Sequence, residues 1–161
     1  MVVEFLSMLA VTYGYLGVFL VSLISSASII IPIPSFIVLI GSVPFLDPPL
    51  IVIFASLGAA IGELVSYAVG FGGRNLVFIQ KQKKKWQKQF DQAEKWFEKH
   101  GGFAVIIVFA ATPLPHDVVG LLSGIIEYDV KKFFLATLIG KFIQSFFIVY
   151  ITFYGLSFLG F

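Results

Sequence analysis

The chain has 161 residues, a net charge of +2 and no cysteine. It is 58% hydrophobic and only 12% charged, with a mean hydropathy of +0.98, where soluble domains run to about a quarter charged. That balance excludes an ordinary soluble domain, and the missing cysteine excludes disulfides, thiolate metal sites and a cysteine nucleophile. What remains is one all-α integral membrane domain over residues 1–161.

The charges are unevenly placed. Residues 5–46 carry none. Residues 74–99 carry eight basic and three acidic side chains. Glu127, Asp129, Lys131 and Lys132 form a second island, and Glu63, Asp117 and Lys141 stand alone among apolar neighbours. Glu4 sits where a cleavable signal peptide would carry a basic residue.

In chain order, residues 1–17 are apolar with Gly14 and Gly17, a segment at or entering the membrane. Residues 18–31 form an apolar arm containing Ser22, Ser25, Ser26 and Ser28. Pro32-Ile33-Pro34 follows, then a second arm over 35–43 that is too short to span, since a bilayer needs about 20 apolar residues. Each proline removes a donor and clashes with the preceding turn, so the pair of arms reads as a re-entrant hairpin. Residues 50–73 can span, and Gly58 and Gly62 mark a small-residue face for close helix packing.

Residues 74–100 differ in kind. Trp86, Phe90, Ala93 and Phe97 recur at helical spacing with lysines on the other faces. This predicts an amphipathic interfacial helix over about 80–100, with a helix packed on the protein itself as the competing reading. A second hairpin follows: an arm over 103–111, the break Thr112-Pro113-Leu114-Pro115-His116-Asp117, and an arm over 118–126 with Gly120 and Gly124. Residues 133–161 then span and carry Gly140-Lys141.

The halves correspond. Pro32 and Pro34 match Pro113 and Pro115, and Gly62-Glu63 matches Gly140-Lys141. Re-entrant hairpins return to the side they entered, so each half crosses an odd number of times and the halves are inverted. The expected fold is therefore two inverted repeats, about 1–73 and 74–161, each a hairpin broken at Pro-x-Pro followed by a transmembrane helix. Basic residues place the segment 74–100 on the cytoplasmic side of a multi-pass cell-membrane protein.

These motifs resemble the DedA/VTT (SNARE-associated) membrane proteins, particularly their compact archaeal-type members. The resemblance rests on Pro32-x-Pro34-Ser35 with Gly41, on Gly62, Tyr67 and Gly70, and on Gly101, Thr112–Asp117, Gly124, Lys132-Phe133 and Gly140-Lys141. It covers most of the chain. It implies two re-entrant hairpins facing each other from opposite sides, and movement of lipids across the bilayer: scrambling of phospholipids or return of polyprenyl-phosphate carriers. The bacterial pattern has a glutamate after the first proline motif where this chain has Phe36, and arginines beside the second where it has Thr112 and His116 or Val118.

Candidate site residues follow from polarity at membrane depth. Asp117 is an intramembrane acid, functional or capping the second arm. Lys141 binds a phosphate as a point charge or pairs with Glu63 or Asp117, and Glu63 has the same two readings. His116 shuttles protons or is a hydrogen-bonded neighbour. Thr112 and Ser35 hold an anion at the hairpin tips or re-satisfy backbone opened by proline. The glycine faces Gly58/Gly62 and Gly120/Gly124 pack within the chain or between copies in a homo-oligomer.

No metal spacing and no nucleophile–base constellation is present, so no metal, cofactor or enzymatic activity is expected. The expected partners are membrane lipids with anionic or phosphate-bearing head groups, and no nucleic acid. The expected function is a lipid translocase; the alternative is a proton- or cation-coupled transporter of small solutes.

Overall fold

The computed structural model describes residues 12–28, 35–81, 95, 97, 99, 101–112 and 116–158, the side chains of Ser35 and 74–81 excepted. All secondary structure among them is helical: α1 (Tyr15–Ala27), α2 (Ser35–Ser42), α3 (Pro48–Lys81), α4 (Gly102–Ala111), α5 (His116–Ile125) and α6 (Val130–Phe158). Two stretches are long and apolar enough to cross a membrane, Pro48–Gly73 and Val130–Phe158. Pro32, Pro34, Pro113 and Pro115 lie outside the described residues, as do Trp86, Phe90 and Ala93 of the expected interfacial helix.

The helix ends follow local chemistry. Gly14 adopts a positive φ of 57° that ordinary residues disfavour, and α1 begins directly after it, three residues before the arm expected at 18. The Tyr15 hydroxyl donates to Asp47 Oδ2 at 3.1 Å and accepts the Asp47 backbone N–H at 3.2 Å, which fixes the start of α1 against the start of α3. Pro48 and Pro49 occupy the first turn of α3, where no backbone donor is needed. That helix then runs 34 residues, through the position where the first repeat was expected to end. Nothing stops it: Gly72 and Gly73 cost about 1 kcal/mol each, and no proline follows before Pro113.

α5 closes with two C-terminal bonds, Tyr128 N–H to Ser123 O at 2.9 Å and Glu127 N–H to Gly124 O at 3.2 Å, with Glu127 left-handed at φ 57°. Asp129 caps α6 by accepting the Lys132 backbone N–H at 2.9 Å.

Packing pairs the short helices with the long ones. α1 and α5 lie along α3; α4 and, more lightly, α2 lie along α6; α3 crosses α6. Glycines permit the close approaches. A Cβ at Gly62 would collide with Leu23 O and stand 2.9 Å from Ser26 Cβ, and one at Gly58 would collide with Phe19 O, so this face receives α1. Gly70 meets Leu121, and Gly124 meets Tyr67 O and Phe71 N, which brings α5 onto α3; Gly120 stands against Ser66. Gly140 meets Ile107 O and Ala110, which brings α4 onto α6. Both expected glycine faces are thus occupied within the chain.

Two apolar clusters result. One joins Val18, Val21, Val38, Leu39, Ile51, Val52 and Val149; the other joins Phe97, Val105, Ile106, Val119, Phe133 and Ala136. Phe97 is 6% exposed, stacks edge-on with Tyr128 and presses on Gly102. At this position the chain before α4 packs against the protein. The outer side of α6 leaves Leu135, Ile139, Phe142, Phe146, Phe147 and Ile151 exposed, a surface suited to lipid.

Candidate functional site

The isolated charges converge where α3 and α6 cross. Lys141 Nζ stands 3.1 Å from Glu63 Oε1, with side chains 14% and 4% exposed. Each follows a glycine that seats a neighbouring helix, Gly62 against α1 and Gly140 against α4. The second Glu63 oxygen has no hydrogen-bond partner among the described residues. A charge pair this far from water is stable only while both members remain.

One turn beyond Glu63, Ser66 Oγ donates to Asp117 Oδ1 at 2.9 Å. Asp117 lies in the first turn of α5, where a carboxylate complements the helix dipole. Asp117 and Lys141 both lie within electrostatic range of Glu63. His116 is 4% exposed, stacks on Phe133 and has Nε2 3.3 Å from Thr137 Oγ1. Its ring therefore points into the α5–α6 contact.

Thr112 ends α4. In an unbroken helix the Phe109 carbonyl would accept from residue 113, but Pro113 has no N–H. Thr112 Oγ1 donates to Val108 O at 2.8 Å, with Phe109 O, the carbonyl that the proline opened, at 3.4 Å as a weaker second acceptor. The Thr112 carbonyl in turn accepts from Gln144 Nε2 at 3.3 Å. The Ser35 side chain lies outside the described atoms.

A cavity of about 350 Å³ opens between α1, α2, α3 and α6. Ser22, Ser26, Lys141, Gln144 and Ser145 give it polar wall; Phe36, Leu39, Ile40, Ala59, Phe147 and Ile148 give it apolar wall. Ser22 Oγ is buried without a hydrogen-bond partner among the described residues. Of the sequence candidates, Lys141 lines this space and pairs with Glu63, while Thr112, His116 and Asp117 flank the second break along the chain. Gln144 and Thr137 were not singled out from sequence. Gln144 had one readable signal, its place one helical turn beyond Lys141. No group of three or more potential metal-binding His, Cys, Asp or Glu occurs among the described residues.

With this geometry, relatives are informative. The family profile for the VTT domain matches residues 33–154, which includes α2 through most of α6. The chain belongs to the VTT-domain (DedA) family. It is 31% identical to the uncharacterized membrane protein YbfM of Bacillus subtilis, over 92% of this chain and 93% of that one. An uncharacterized protein of Methanocaldococcus jannaschii is 27% identical over 88% and 85% of the respective chains. No solved structure matches. Like its Bacillus relative, this VTT-domain chain is a membrane protein, and the helix crossing that carries Glu63 and Lys141 lies within the matched region.

Proposed function

We infer that this VTT-domain protein moves lipids across the bilayer, taking amphiphiles with phosphate-bearing head groups through the cavity beside Lys141. The observation that carries this reading is the cavity wall: mostly apolar side chains, with one cation and a cluster of hydroxyl and amide groups along one side. Such a lining suits a molecule with a polar head and an apolar tail better than a small polar solute. The short helices support a matching topology. Ten-residue arms such as α4 and α5 are too short to span, and the mirrored pairing of α1 with α3 and α4 with α6 fits two inverted hairpin repeats in one domain.

In this reading the segment 74–100 faces the cytoplasm, by its excess of Lys and Arg. The protein acts without enzymatic chemistry or a cofactor, and its partners are membrane lipids. Lys141 meets the head group, Glu63 holds Lys141 in place, and Asp117 fixes the start of α5. Reconstitution in liposomes with fluorescent lipids of defined head groups tests this. Wild type is expected to move label between leaflets well above protein-free vesicles, and Lys141→Ala to lose most of the gain. Movement no faster than in protein-free vesicles would sink the reading.

A further inference from the structure

The cavity beside Lys141 changes character along its depth. On one side it is lined by Phe36 and Ile40 of α2 and Phe147 of α6, which are 50%, 43% and 58% exposed. On the other it is lined by Ser22 of α1 and Ser145 of α6, which are 2% and 6% exposed. The cavity thus runs from an apolar mouth to a polar floor. Phe147 also belongs to the exposed apolar side of α6, so the mouth is continuous with the surface suited to lipid. The floor is far from either end of the span, because Lys141 and Ser145 sit near the middle of Val130–Phe158.

Ser22 supplies a polar partner at that floor. Elsewhere, helical hydroxyls return to their own backbone: Ser42 Oγ donates to Val38 O at 2.7 Å, Ser56 Oγ to Ile53 O at 3.0 Å and Thr152 Oγ1 to Ile148 O at 2.8 Å. Ser22 Oγ makes no such bond and is buried with no partner among the described residues. An unpaired buried hydroxyl is costly, and a ligand oxygen in the cavity is a partner it can take. The Lys141 ammonium lines the same cavity, so the two donors together suit an oxyanion such as a phosphate. Size sets a further limit. At about 350 Å³ the cavity lies at the low end of the ~300–1,000 Å³ of ligand pockets, with room for a polar head group and none for a pair of long acyl chains.

We propose that a phospholipid enters this cavity sideways from the bilayer: its phosphate passes between α2 and α6 to Ser22 and Lys141, while its acyl chains stay outside against Phe36, Ile40 and Phe147. Occupancy of the cavity follows from its shape and lining; its use in transport rests on the translocase reading. The consequence for selectivity is direct. The protein encloses the head group and leaves the chains in the bilayer, so head-group size matters and chain length does not.

Photo-crosslinking reads occupancy without transport. The full chain is reconstituted in phosphatidylcholine vesicles with phosphatidylglycerol carrying a diazirine either on its head group or on an acyl chain, and the labelled residues are mapped. The head-group probe is expected to mark the floor, around Ser22 and Ser145, and the chain probe the mouth, around Phe36 and Phe147. Ser22→Ala is expected to lower floor labelling about fivefold, the effect of one lost hydrogen bond. Head-group labelling in wild type that is absent, or confined to the ends of the spanning helices, would overturn the proposal. So would floor labelling that Ser22→Ala leaves unchanged.

A movement assay in the same vesicles adds the transport arm. Phosphatidylglycerol with a fluorophore on its acyl chain is expected to cross, whether that chain is short or long. The same lipid with rhodamine on its head group is expected to stay near the protein-free rate, because the enlarged head exceeds the cavity. Equal gains for both would overturn the proposal and leave the translocase reading intact. Floor labelling without movement of either lipid would uphold the site and sink the translocase reading.

Discussion

Lys141 reaches across from α6 to within 3.1 Å of Glu63 on α3, and each residue directly follows a glycine that seats another helix. The pair is therefore placed by backbone contact on both sides. Its members have little freedom to find other partners. Removing only Lys141 leaves a buried carboxylate uncompensated, and Lys141→Met is expected to destabilise the protein by about 3–5 kcal/mol. Replacing both, as Glu63→Met with Lys141→Met, is expected to recover most of that loss, since an apolar pair of similar volume needs no desolvation. Thermal unfolding in detergent measures the recovery. Lipid movement separates structural from functional use: a restored fold with no movement assigns Lys141 to the substrate, whereas restored movement makes the pair structural only.

Much of this arrangement was legible in the chain. The isolated charges, the doubled Gly-then-charge pattern and the proline breaks all stand out against an apolar background. Counting four residues back from Pro113 identifies Phe109 as a carbonyl whose helical donor the proline removes, which left Thr112 with two readings, an anion at the tip or repair of opened backbone. The choice between Glu63 and Asp117 as partner of Lys141 was not readable. It depends on how α3 and α6 cross, and sequence spacing along one helix is silent on that. Gln144 was missed because a glutamine in a spanning helix carries no charge to draw notice; its meaning comes from the Thr112 carbonyl opposite. The run of α3 past Gly73 was hidden by a change in composition that does not interrupt a helix.

The glycines differ in what they permit, which gives a graded packing test. Gly140→Ala would drive a methyl into Ala110 and Ile107 O, and Gly62→Ala into Leu23 O. Each is expected to lose about 1–3 kcal/mol by overpacking. At Gly41 in α2 an added methyl meets nothing within 4 Å, so Gly41→Ala is expected to be neutral or to stabilise by up to about 1 kcal/mol through helix propensity. Unfolding midpoints of the three variants against wild type check the order. Equal losses at Gly41 and Gly140 would contradict the packing described.

Phe97 tests where the basic segment docks. Its ring is buried against Gly102 and Tyr128, so Phe97→Ala leaves a hole in the second apolar cluster. The expected loss is about 3 kcal/mol. A side chain that merely rested on the bilayer surface would lose membrane affinity without lowering the unfolding midpoint in detergent, so that midpoint distinguishes the two placements.

Asp129 offers a pH test outside the spanning helices. The Lys132 backbone N–H it accepts, helped by the Lys131 N–H and both lysine charges, holds its carboxyl below the usual aspartate range. A carboxyl with a lowered folded-state pKa contributes stability above its unfolded value of about 3.9, and that contribution is lost as pH falls through the lower folded value. Asp129→Asn can still cap the helix but cannot titrate there. Wild type is therefore expected to be the more stable of the two from neutrality down to about pH 4, with the difference shrinking to nothing in stronger acid. Unfolding midpoints of both chains across that range measure it. A difference that grew on acidification would have the opposite sign to a carboxylate stabilised by N–H donors, and would exclude the cap at the start of α6.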